Sequence, residues 1–117
     1  MKAVVLDVDE TLGYFTDFGV LWKAINDFRV RDKMPRYGQN VFNYLLDKYP
    51  EFLRPNIQNI LTYLKIKKMN NSAHKVILYT NNQAGAEWIV LIKKYLETKI
   101  NYKLIDEVIG PYKIKNV

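Results

Sequence analysis

Apolar residues along this chain follow two patterns. Some form short unbroken runs that stop abruptly at polar residues. Ala3-Val4-Val5-Leu6 runs into Asp7-Val8-Asp9-Glu10-Thr11, and Val76-Ile77-Leu78-Tyr79 runs into Thr80-Asn81-Asn82. Runs of this length without alternation predict strands buried on both faces, as in a parallel sheet. Others recur at helical spacing. Val41, Phe42, Leu45, Leu46 and Tyr49 predict a helix that Pro50 ends. Ile57, Ile60, Leu61 and Leu64 predict a second, with Pro55 near its start, and Ala84, Trp88, Leu91, Ile92, Tyr95 and Leu96 a third. Near the end, Leu104-Ile105 and Val108-Ile109 in the stretch 103–110 predict a further strand or strand-turn.

Between the first strand and these helices lies an aromatic segment that includes Tyr14, Phe15, Phe18 and Trp22. Thr16 or Asp17 is positioned to cap a helix carrying Val20, Leu21 and Ile25, although Gly19 weakens it. Residues 26–39 are polar, contain Met34-Pro35 and Tyr37-Gly38, and predict a loop. Residues 14–50 therefore read as a small helical, aromatic insertion. Tyr14, Phe15 and Trp22 are expected first as core. Strands alternating with helices predict a single α/β domain with a parallel sheet over residues 1–117.

Composition narrows the class. A chain of 117 residues buries about two-thirds of its unfolded surface. Without cysteine it has neither disulfides nor thiolate metal ligands. With the first strand expected from Lys2, no signal peptide is expected, and no apolar run reaches membrane-spanning length. The expectation is a soluble intracellular protein, cytoplasmic or nuclear, with no membrane partner. The net charge of +6 favours anionic partners. Yet Lys65, Lys67, Lys68, Lys93, Lys94, Lys99 and Lys103 are scattered over several segments, which suits solvated helix faces better than a dedicated nucleic-acid surface.

The candidate chemistry sits where the first strand ends, since ligands of open α/β sheets bind beyond the carboxyl ends of the strands. Asp7 and Asp9, two apart in extended chain, project to one side. Two close carboxylates repel unless a proton or a cation lies between them. Mg2+ suits them, because it takes one or two carboxylates and completes its shell with water and phosphate. One carboxylate can act as a nucleophile and the other can carry a proton. Thr11 is expected to bond nearby backbone and fix the turn. Arg54, at a helix start, is a candidate for an anionic substrate or an ordinary surface residue. His74, before the second strand, reads as a surface residue.

Asp7-Val8-Asp9-Glu10-Thr11-Leu12 resembles the first motif of the haloacid dehalogenase-like phosphohydrolases. It is most similar to the RNA polymerase II C-terminal-domain phosphatases and their relatives, which read Asp-Leu-Asp-Glu-Thr-Leu. Leu53-Arg54-Pro55 is similar to the Leu-Arg-Pro before the same helix in that group, and the strand ending in Thr80 fits the family's second motif. The resemblance implies a Rossmann-like sheet flanked by helices, Mg2+ held at Asp7 and Asp9, Asp7 as nucleophile and Asp9 as general acid/base. It implies that Asp9 also gives the metal its backbone carbonyl, that Thr80 and Asn81 bind phosphate, and that the chain leaving the first motif forms a flap, which would make Tyr14, Phe15 and Trp22 a substrate lip as the alternative to core. The family then has a Lys and a downstream acidic motif. Lys113 and Lys115 are positional candidates for the Lys, and no acidic pair follows before Val117. The expectation is thus a fragment, or a shortened homologue with impaired metal binding. The substrate implied is a phosphoserine or phosphothreonine protein. Small or nucleic-acid phosphoesters, and a pseudoenzyme that merely binds phosphorylated partners, are the alternatives.

Overall fold

The computed structural model describes residues 3–9, 11–71, 74–80 and 86–110. Asn81, Lys113 and Lys115 lie outside them. Among the described residues, Ala3–Asp7 (β1), Lys75–Tyr79 (β2) and Glu107–Ile109 (β3) form a parallel sheet in the order β1-β2-β3. Four helices accompany it: Phe15–Arg31 (α1), Gln39–Lys48 (α2), Ile57–Asn70 (α3) and Ala86–Ile100 (α4). A 3₁₀ turn, Pro50–Phe52, joins α2 to the approach of α3. The architecture is α/β with a small parallel sheet. Among the described residues no helix is long and apolar enough to cross a membrane.

The expectation that the strands are buried on both faces fails at β1. Val4 and Leu6 are partly buried, whereas Val5 is 59% exposed and Ala3 and Asp7 are open as well. The reason is an uncovered face: the residues of β2 paired with Ala3, Val5 and Asp7, namely Lys75, Ile77 and Tyr79, are exposed or half-buried too, so that side of the sheet is left to solvent. Central β2 does better, with Val76 and Leu78 buried and Ile77 half-buried.

The helix at the insertion is longer than its polarity suggests. Residues 26–31, expected as loop, complete α1. Their polar side chains face water, while Asn26, 2% exposed, earns its burial through two hydrogen bonds. Its Nδ2 donates to the Trp22 carbonyl at 3.0 Å, and its Oδ1 accepts the Tyr37 N–H at 2.6 Å. The expected side-chain cap at Thr16 or Asp17 is absent, since α1 already starts at Phe15. Its buried face runs through Phe15, Phe18 and Asn26, and Val20 points outward.

The aromatic residues of the insertion are mostly core. Phe18 and Phe42 meet edge to face at 5.2 Å, Phe42 and Trp88 at 5.6 Å, and Trp22 and Phe42 at 5.3 Å. Such pairs contribute about 0.5–1.5 kcal/mol each beyond area burial. They lock α1, α2 and α4 together. Phe15 is fully buried, which rules it out as a substrate lip, while Tyr14 and Trp22 are half-buried. In α3, Ile57, Leu61 and Leu64 face the core as expected, but Ile60 is exposed.

Several of the scattered lysines are structural ties rather than a free basic surface. Lys65 donates to the Ile100 carbonyl, Lys99 to Asp47, and Lys68 to both the Leu104 carbonyl and Asp106. Asp106 also exchanges two hydrogen bonds with Val76, each 2.8 Å, which fixes the entry of β3 against β2.

Candidate functional site

The register of the sheet assembles the site. Asp7, at the end of β1, lies opposite Tyr79, and Tyr79 lies opposite Ile109, so the carboxyl ends of the strands stand in one row. The ladder continues one step beyond the strands: Val8 N–H donates to the Tyr79 carbonyl and Thr80 N–H to the Ile109 carbonyl, both at 2.9 Å. Alternation also continues past β1. Val8 turns fully inward, which leaves Asp7 and Asp9 on the other side.

The two carboxylates have different surroundings. Asp7 is exposed, and its Oδ2 accepts the Thr11 hydroxyl at 3.2 Å. Thr11 was expected to bond backbone; instead it holds the candidate nucleophile. Asp9 is half-buried. Its Oδ2 accepts the Thr80 hydroxyl at 2.7 Å, across 71 residues of chain. Its Oδ1 is buried without a hydrogen-bond partner. An unpartnered buried oxygen of a charged group costs about 1–3 kcal/mol or more, so it is matched to a proton, a cation or a substrate donor.

The loop that carries the pair is pinned from below. Leu12 N–H donates to the Val8 carbonyl, closing a tight turn, and Leu12 is buried. Arg54 N–H then donates to the Leu12 carbonyl at 3.1 Å, and Tyr14 N–H to the Phe52 carbonyl at 2.6 Å. Gly13 forms a bridge to Leu53 within this set. The Leu-Arg-Pro segment therefore buttresses the acidic loop through its main chain. The Arg54 side chain lies over the Tyr14 ring, 5.5 Å from its centroid, beside a cleft of about 640 Å³ that Asn56 also lines.

A second cleft, of about 430 Å³, opens between α1 and α4 and is walled by Trp22, Asn26, Arg36 and Trp88. Neither cleft is lined by Asp7 or Asp9. The carboxylates are the better guide to chemistry, because pocket shape alone carries no reactive group. His74, read as a surface residue, is half-buried with Nδ1 buried and unpartnered.

The donor set fits a hard cation. Asp7 offers an exposed carboxylate beside Asp9, and Mg2+ needs only one or two carboxylates besides water and phosphate. Among the described residues no group of three or more His, Asp or Glu side chains is gathered to hold a metal. A metal here would rest on this pair.

Of the two residues expected to bind phosphate, one lies among the described residues. Asn81 lies outside the described residues, and the Thr80 hydroxyl directs its proton to Asp9. The Thr80–Asp9 pair had no signal in the sequence beyond both residues ending apolar runs. Comparison with protein-family models, with curated proteins and with solved structures finds no match for this chain.

Proposed function

We propose that this chain is a haloacid dehalogenase-like phosphohydrolase that cleaves phosphomonoesters with Mg2+ through a phosphorylated Asp7. The observation that carries this reading is the division of labour between the two carboxylates at the row of strand ends. Asp7 is exposed and held by Thr11, whereas Asp9 is half-buried with one oxygen tied and the other orphaned. One environment suits a nucleophile open to substrate. The other suits an acid that carries a proton on a defined atom.

In the first step the Asp7 carboxylate attacks phosphorus as the bond to the leaving oxygen breaks, and that oxygen takes a proton from Asp9. In the second, Asp9 accepts a proton from water as the water attacks phosphorus and the phosphoryl bond to Asp7 breaks. Phosphate and an alcohol are the products, and both carboxyl groups return to their starting states. Mg2+, held by the Asp7 carboxylate and, as the resemblance implies, the Asp9 carbonyl, would neutralise the phosphoryl oxygens. Thr11 keeps the nucleophile oriented. Arg54, whose main chain is tied to the loop, is a candidate contact for a phosphoprotein or small phosphoester substrate.

Phosphate release from an aryl phosphate with Mg2+ tests the reading. Asp7→Asn keeps the shape and removes the nucleophile, so turnover should fall to background. Beryllofluoride, a phosphoryl mimic, should raise the melting temperature of the wild type and not of Asp7→Asn. Undiminished turnover by that variant overturns the mechanism.

A further inference from the structure

The cleft between α1 and α4 extends beyond its first lobe. The cavity of about 430 Å³ adjoins a further one of about 490 Å³, and the two share Trp22, Asn26, Arg36, Glu87 and Leu91 as walls. Each lobe is of a size that holds a small molecule. Apolar surface is left open along both. Trp22 and Leu91 are half-buried, and Val20 and Val90, one in each lobe, are 69% and 41% exposed. Gly19, inside α1, also lines the first lobe. Glycine is unfavourable in a helix interior. A Cβ there would stand 3.4 Å from the Trp88 ring, an ordinary contact, so packing does not forbid a side chain. Its absence leaves a hollow beside that ring.

The polar groups of the cleft divide into committed and free. Asn26 commits both ends of its amide to main chain, and Gln39 donates to Asn43 and to the Leu91 carbonyl. Lys23 is held by Asp27 at 2.7 Å. Arg36, Lys94 and Glu87 are exposed and enter no ion pair with the described residues. Two free cations therefore stand against one free anion, beside apolar walls that focus their field.

We propose that this cleft binds an aromatic carboxylate, its ring against Trp22 and Leu91 and its carboxylate on the Arg36 guanidinium. The planar fork of a guanidinium matches both oxygens of a carboxylate. An aromatic ring gains from offset or edge contact with an indole. The excess of positive charge selects an acid over an amine. The inference stands apart from the phosphohydrolase reading, since neither Asp7 nor Asp9 lines either lobe.

The two tryptophans of the chain, Trp22 and Trp88, both wall the cleft, so their indole N–H signals in a nitrogen–proton correlation spectrum report on it. Naphthylacetate titrated into the full chain should shift both signals, with half-saturation at about 1 mM or below. Naphthylacetamide, which has the shape without the charge, should bind about fivefold more weakly. Arg36→Gln should weaken the acid by about the same factor and leave the amide unchanged, because charge and partner act as a pair. Glu87→Gln removes the opposing charge and should tighten the acid about twofold. Gly19→Ala fills the hollow and should weaken acid and amide alike. Melting temperatures equal to or above that of wild type would show that these variants fold.

Absence of a saturable shift up to about 10 mM acid would overturn the proposal. So would equal affinity for acid and amide, or wild-type affinity for the acid in Arg36→Gln. Preference for naphthylethylamine, lost in Glu87→Gln, would assign the cleft to a cation and overturn it as well. None of these outcomes touches Asp7, whose role is tested by turnover.

Discussion

A Cβ placed on Gly13 would stand 2.7 Å from the carbonyl oxygen of Phe52 and 2.9 Å from the ring of Phe15. The loop carrying Asp9 thus lies flat on the Pro50–Phe52 turn only because residue 13 has no side chain. Backbone and a fully buried ring cannot retreat cheaply. Gly13→Ala should therefore destabilise the fold by about 1–3 kcal/mol through overpacking. Urea unfolding measures it, and a midpoint unchanged from wild type would show that the loop moves aside freely.

Asp9 separates acid from nucleophile. Asp9→Asn retains the size of the side chain and leaves Asp7 in place, so a good leaving group should still depart slowly. On a serine phosphate the loss should be larger, by roughly a hundredfold, the usual worth of a positioned general acid. Steady-state rates on the two esters decide it. Equal losses would mean that Asp9 acts mainly in the water step that both esters share, or chiefly organises the loop.

Asn26 is a structural polar residue whose two partners are both main chain. Asn26→Leu would leave the Tyr37 N–H without its acceptor and should cost about 1–3 kcal/mol. The consequence should be local, because Tyr37 leads into α2 and the other partner of Asn26, Trp22, packs on Phe42. Hydrogen exchange at Tyr37 should accelerate in the variant, and unchanged protection there would contradict the assignment.

Acid should loosen the entry of β3. Burial alone would raise the Asp106 carboxyl, but the Lys68 ammonium and the Val76 N–H outweigh it and hold the group below its ordinary value of 3.8. Asp47 is likewise held low, first by Lys99, against the opposing effect of burial and with help from Tyr95. A carboxyl depressed in the folded state contributes stability that is complete above its unfolded value and is lost as pH falls through the folded one. Stability should therefore decline below about pH 4. Lys68→Met should flatten that decline, as read from urea midpoints between about pH 6 and about pH 2. A parallel decline in the variant would show that Lys68 does not set the Asp106 affinity.

Much of the chain was legible because the determinants are local. The apolar run Val76–Tyr79, the helical spacing of Phe42 and Leu46, and the stop at Pro50 each follow from steric and solvation preferences acting within one or two turns. Asp7 and Asp9 stood out for the same reason: their chemistry lies in their spacing.

Where the sequence misled, the deciding interaction was distant. Polar residues 26–31 were expected as loop, yet an acceptor on Asn26 for Tyr37, 11 residues on, makes the last turns of α1 worth forming. An unbroken apolar β1 was expected to be buried on both faces, but burial depends on what packs over each face of the sheet, and that is decided by the whole fold. The same holds at the site. Residue types marked Thr80 and Asp9 as polar ends of strands, but only parallel pairing of β1 with β2 in one particular register set the hydroxyl of one on the carboxylate of the other. A slip of one residue would turn both side chains to opposite faces, because strand side chains alternate. Sequence therefore determined which groups are available for chemistry, and tertiary structure decided which oxygen of Asp9 is tied to Thr80 and which is buried without a partner.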